Sequence, residues 1–175
     1  GAWLAAGTND GRVVLWDPSS RRELYRLDGC GGGVTALAGA PDGGWLAAGI
    51  NDGRVVLWDP ASGRELHRLE GHGGGVSALA VAPDGTWLAS AGSDGLIRRW
   101  TLPPDGARPR CDMAIELLPE GNWVVWHDPD GPDRRWVHWS PGAWRWLGWH
   151  APLLDGKRWM NYPMDAFVAP GPSDS

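Results

Sequence analysis

The 42 residues from Ala2 to Gly43 recur, almost letter for letter, from Gly44 to Gly85. The two copies agree at 33 of 42 positions, and a third copy begins at Thr86 and leaves the pattern after Trp100. Trp3, Trp45 and Trp87 mark this register, and so do Trp16, Trp58 and Trp100. A period of this length is one supersecondary unit per repeat. Such a unit cannot bury its apolar face alone, so it must stack against its neighbours.

Each copy holds four short β-like runs. In the second copy they are Trp45–Ile50, Arg54–Trp58, Glu65–Leu69 and Val76–Val81. Asn51-Asp52-Gly53 is a tight hairpin signal. Asp59-Pro60 through Ser62-Gly63, and Pro83-Asp84-Gly85, supply the other turns. Four strands per unit predict an antiparallel meander the size of one propeller blade. The expected fold class is therefore all-β: four-stranded antiparallel blades in an incomplete propeller.

Composition agrees with this reading and narrows the function. The 175 residues include 27 Gly and 15 Pro, too many for a bundle of long helices. Hydrophobic residues make up 42%, which excludes wholesale disorder. No apolar run is long enough to span a membrane, and no signal peptide is visible. Up to residue 110 there are 11 basic and 12 acidic residues, and beyond it 5 and 9. Neither part has the basic excess that nucleic-acid binding needs. All but one of the 16 basic residues are Arg, a usage that suggests a GC-rich bacterial genome. Cys30 and Cys111 match no metal spacing and read as free thiols in a reducing, cytoplasmic compartment.

The run Gly71-His72, Ser77, Asp94-Gly95 and Trp100, with Trp58-Asp59 in the preceding unit, resembles WD40 repeats over roughly residues 2–101. The resemblance implies a structural tetrad of His72, Ser90, Asp94 and Trp100 that ties the strands of a blade together. It also implies a rigid, non-enzymatic platform for recognising a protein or ligand. The second unit departs from the pattern, with Cys30 at the His position and Ala48 at the Ser position; Ala6 stands there in the first unit. Packing and Asp-turn bonds are expected to hold those units. No nucleophile elbow or phosphate loop accompanies the His, Ser and Asp, so no catalytic residue is expected. No cofactor or metal is expected either. The five His lack zinc spacing, and Asp128 to Asp133 lacks the ligand spacing of a calcium loop.

The last third holds eight of the 14 Trp. Pro119 to Trp123 echoes Pro83 to Trp87, and Asp130 to Trp136 echoes Asp94 to Trp100. These echoes predict a degenerate blade-like meander over 111–149, with strands Ala114–Leu118, Trp123–His127, Arg134–Trp139 and Trp144–Trp149; a separate small β-domain is the other reading. The segment also loosely resembles Trp-rich tails that follow WD repeats in large actinobacterial proteins. The predicted division is thus 1–110 in WD40-like blades, 111–149 in the Trp-rich meander, and 150–175 as an extension with a short helix at Met164–Val168 and a loose end. Strict alternation places Trp136 and His138 on one face, and Arg135, Val137 and Trp139 on the other. Either both faces are covered, one by the adjacent blade and one by residues 150–168, and the Trp are core, or one face is left to bind, with Trp126, Arg135, Trp139 and Trp149 as its candidates. Among the blade loops, Ile50 and Asn51 are further candidates, because Thr8 stands in the place of Ile50 at an expected exposed loop.

Gly1 is followed at once by the second strand of a unit. The expectation is the C-terminal sensor or regulatory portion of a larger bacterial signalling or immunity protein, its blades pairing with preceding ones. The alternative is a self-assembling blade fragment that closes a ring with other copies.

Overall fold

The computed structural model describes residues 3–132 and 134–143 in full, and the backbone of 149–152 and 159–162. Three antiparallel sheets follow one another along the chain. The first holds β1 (Leu4–Gly7), β2 (Val13–Asp17) and β3 (Arg22–Leu27). The second holds β4 (Val34–Gly39), β5 (Leu46–Ile50), β6 (Val55–Asp59) and β7 (Arg64–Leu69). The third begins with β8 (Val76–Val81), β9 (Trp87–Gly92), β10 (Leu96–Thr101) and β11 (Arg110–Leu117). It continues with β12 (Trp123–His127) and β13 (Arg135–Trp139). A separate antiparallel ribbon pairs β14 (Trp149–Pro152) with β15 (Trp159–Tyr162).

One sequence copy is not one sheet. Residues 44–85 supply β5, β6 and β7 to the second sheet and β8 to the third. Each copy therefore ties two neighbouring sheets with continuous chain. The sheets also meet through inner strands, where the Thr35 hydroxyl donates to the carbonyls of Gly49, at 3.0 Å, and of Val76.

The core lies between sheets, and strand alternation decides what enters it. In β6, Val56 and Trp58 pack with Val13 and Leu15 of the first sheet. Val55 and Leu57 point the other way, onto Leu88 and Trp100 of the third. All four β6 side chains are at most 2% exposed. A strand covered on both faces reads as a continuous apolar run, which is why Val-Val-Leu-Trp recurs unbroken.

A β-bulge interrupts the same strand pair in all three sheets, next to the repeat Trp. Leu57 pairs with His67 but Trp58 with Glu65, so Leu66 is passed over. Leu24 and Asp112 are passed over in the same way. In the first two sheets the bulge turns the strand just before the Asp-led turn that follows the Trp; in the third, Thr101 follows Trp100. At Asp59 that turn is closed by bonds from the Ala61 N–H, at 2.8 Å, and the Ser62 hydroxyl, at 2.6 Å.

The Trp-rich segment departs from the sequence reading. The expected first strand, Ala114–Leu118, pairs with β10 as the fourth strand of the third sheet, and β12 and β13 extend that sheet to six strands. No sheet apart from it forms over 110–139, because β11 offers one edge to β10 and the other to β12. Of the expected fourth strand, 144–149, only Trp149 is described, and it pairs with Tyr162. The expected helix at 164–168 lies outside the described residues.

Candidate functional site

The third sheet gathers most of the chemistry. His72 enters from the loop before β8, Ser90 from β9, Asp94 from the β9–β10 turn and Trp100 from β10. The Trp100 indole N–H donates to the Ser90 hydroxyl at 2.8 Å. Ser90 lies 2.7 Å from His72 Nε2, and His72 Nδ1 lies 3.0 Å from both Asp94 carboxylate oxygens. One assignment satisfies all four groups. Ser90 donates to Nε2, and the Nδ1–H donates to Asp94. Asp94 also accepts the N–H of Gly73 at 2.9 Å and of Leu96 at 3.1 Å. Burial would raise its pKa. These backbone bonds and His72 outweigh burial and hold it below the ordinary carboxylate value. His72, Ser90 and Trp100 are buried, so the chain of bonds ties strands and presents no nucleophile.

The second sheet solves the same problem differently. Cys30 and Ala48 stand where His72 and Ser90 do, and both are fully buried. Asp52 turns to Arg54, whose guanidinium also donates to the Cys30 carbonyl at 3.0 Å. Arginine thus links the turn to the preceding loop. Burial pushes the thiols of Cys30 and Cys111 up, which makes both poor nucleophiles.

The candidate binding residues separate on exposure. Trp126 is buried, and its indole N–H donates to Glu116 at 2.9 Å. The Arg134 guanidinium lies 4.4 Å over its ring. Arg135 is exposed on β13, and Trp139 is 52% exposed. Only the backbone of Trp149 is described. Asn51 is exposed, and its N–H is taken by the Gly33 carbonyl at 2.9 Å. Ile50 is fully buried between the first two sheets, contrary to the expected exposed loop. The second sheet is covered there, whereas Thr8 at the equivalent place in the first is exposed.

Strict alternation also fails at β13. Val125 pairs with His138 and Trp126 with Trp136, so Val137 is bulged out. Trp136 and Trp139 consequently share a face and meet edge to face at 6.2 Å, and Trp136 meets Trp126 likewise at 6.1 Å. The aromatic row Trp126–Trp136–Trp139 was hidden because a bulge has no clear letter in the sequence. His127 and His138 lie opposite Arg135 and Val125, not each other.

The other face of the third sheet was missed altogether. Cross-strand pairs place Ala80, Ala89 and Arg99 in one row, and Ala78, Ala91, Ile97 and Ile115 in the next. The equivalents of Ala89 and Ile97 in the second sheet are Ala47 and Val55, both fully buried. Here the row is half-buried or exposed, with the Arg99–Asp112 ion pair set in it at 2.5 Å. Comparing the duplicate faces would have exposed this, since Arg99 replaces Leu57.

Among the described residues no cluster of metal-ligating side chains forms, and no helix is long and apolar enough to cross a membrane. No curated protein matches the chain. The family model of the WD domain, G-beta repeat (WD40), matches residues 21–59 and 63–101. Each match runs from the outer strand of one sheet through three strands of the next, which is the interlock described above. Residues 21–59 and 63–101 are therefore WD40 repeats, folded as antiparallel sheets of an incomplete propeller.

Proposed function

We propose that the chain is a non-enzymatic recognition platform that binds a protein partner through the third sheet. The observation that carries this is the half-exposed face of β8–β11, whose equivalents Ala47, Val55 and Leu57 in the second sheet are buried. An apolar sheet face with a central ion pair and the exposed Trp87 beside it suits a protein surface better than solvent. WD40 repeats generally serve protein interaction, which supports the same reading. In its finer form, the chain is a sensor or regulatory module of bacterial signalling or immunity. It works in the cytoplasm, where two free thiols stay reduced. The test is Ile97→Asp on the open face. A partner bound by the wild type should be lost with thermal stability unchanged. Equal binding by both proteins would sink the proposal.

A second reading is favoured by one observation. Leu4, Ala6, Val14 and Trp16 of the first sheet are identical to Leu46, Ala48, Val56 and Trp58, which pack between the first and second sheets. Leu4 and Ala6 are exposed, while their duplicates are buried. The uncovered face of the first sheet thus repeats a surface that already packs on a neighbouring sheet, and a second copy could supply that neighbour. Light scattering over a concentration series checks this. Self-association abolished by Trp16→Asp supports it, and a monomer at all concentrations refutes it.

A further inference from the structure

The chain contains one kind of sheet-to-sheet contact twice. The face of the first sheet with Ala5, Val13 and Leu15 lies on Leu46, Ala48, Val56 and Trp58 of the second. The face of the second sheet with Ala47, Val55 and Leu57 lies on Leu88 and Trp100 of the third. Each contact sets the leading face of one sheet on the trailing face of the next. One surface of each kind is left over: the leading face of the third sheet and the trailing face of the first.

The leftover trailing face has not changed. Leu4, Ala6, Val14 and Trp16 repeat Leu46, Ala48, Val56 and Trp58, and Leu4 is 60% exposed. The leftover leading face keeps Ala78, Ala80 and Ala89 where the second sheet has Ala36, Ala38 and Ala47, and Ile97 where it has Val55. It differs at two places, with Ala91 for Gly49 and Arg99 for Leu57.

Both differences fit the first sheet as the cover. A Cβ at Gly49 would lie 2.5 Å from a methyl of Val76, on the inner strand β8 of the sheet that covers it. Gly7 meets Val34 of β4 in the same way. Ala91 carries that Cβ, so a covering sheet with a valine on its inner strand would collide there. Among the described residues the first sheet has no such strand: β1 is its edge, where β4 and β8 stand in the other two. Arg99 donates from Nε to Asp112 at 3.0 Å and from Nη2 at 2.5 Å, so its charge is already paired before the face is covered. Leu57 shares a packed cluster with Trp100. The equivalent pair across a new contact is Arg99 and Trp16 of a second copy, a guanidinium against an indole.

We propose that two copies of the chain join head to tail, the first sheet of each covering the third sheet of the other. This rests on the recognition role proposed above for the third sheet, and it names the surface that the face receives. Head-to-tail contacts form a ring where the rotation closes. Closed propellers hold roughly four to eight sheets. Each copy brings three sheets, so two copies supply six and three would supply nine. The ring is therefore a dimer.

Sedimentation velocity on the 175-residue chain should give a dimer, with a Kd on the order of micromolar for interfaces of ordinary size. Leu4→Asp on the trailing face and Ile97→Asp on the leading face should each give a monomer. Mixing them restores one unaltered contact, between the first sheet of the Ile97→Asp copy and the third sheet of the Leu4→Asp copy. Labelled Ile97→Asp should therefore shift its Trp16 indole N–H saturably on titration with unlabelled Leu4→Asp, about a hundredfold more weakly than the wild-type dimer forms. Titration with unlabelled Ile97→Asp should leave it unmoved. Ala6→Asp and Ala78→Asp, at exposed alanines of the two faces, repeat the pairing should either first variant melt early. A monomer at all concentrations up to about 0.1 mM overturns the proposal. So does a particle of three or more copies, a dimer that neither variant disturbs, or a mixture with no saturable shift. A monomer from which Ile97→Asp still removes another bound protein overturns the dimer alone. If Ile97→Asp changes no association of any kind, the recognition role of the third sheet falls with it.

Discussion

Ser90 is the pivot of the buried chain of bonds, because it alone both accepts from Trp100 and donates to His72. Ser90→Ala leaves an indole N–H and an imidazole nitrogen unpaired in the core, and should cost about 1–3 kcal/mol by denaturant unfolding. The second sheet already has the Asp and Trp of the tetrad, in Asp52 and Trp58, and lacks only the middle. Installing Cys30→His or Ala48→Ser alone adds a buried polar group without its partner. Together they should complete a chain. A double-mutant cycle should therefore show favourable coupling of about 0.5–3 kcal/mol, and additivity would refute the geometry. The acid limb of stability belongs to this scale too. Asp94 is held below its ordinary value of 3.8 in the folded chain. Its contribution is complete above that value and is lost as pH falls through the lower, folded one. Asp94→Asn should flatten part of the acid limb in melts taken below about pH 4.

The strands of the repeat region were legible because two periods coincide there. Alternation marks each strand, and the 42-residue copy marks each turn with Gly, Asp or Pro. The expected runs of the second copy lie within one residue of β5 to β8 at each end. The aromatic face of β12–β13 was not legible, because the bulged Val137 resets alternation and any residue can occupy a bulge. Nor was the grouping of strands into sheets. A strand pattern does not say which edge a strand offers, and β11 offers both. The β12–β13 loop is held by close approach. A Cβ at Gly131 would run into the Asp128 carboxylate, and Asp128 is itself buried and bonded to Arg110 at 2.6 Å. Gly131→Ala should therefore lower Tm by several degrees and broaden the Arg134 and Trp126 signals by NMR.

Across the whole molecule, the same residue type has a different weight depending on what lies beyond its sheet. Val55 and Ile97 occupy equivalent positions on β6 and β10, yet Val55 is fully buried and Ile97 half-exposed. Val55→Asp should unfold the chain, because a charge would be driven between two sheets. Ile97→Asp should leave the melting of the isolated chain within a few degrees and act only on association. Equal destabilisation by both would show that the third face is already covered. The sequence by itself determined the repeat, the strands, their turns and the residue types of the buried chain, because these depend on neighbours along the chain. Only the tertiary structure decided that Ile50 is core, that Trp126, Trp136 and Trp139 share a face, and that one face of the third sheet stays open. Those outcomes depend on which surfaces meet, and that is set by packing between distant strands.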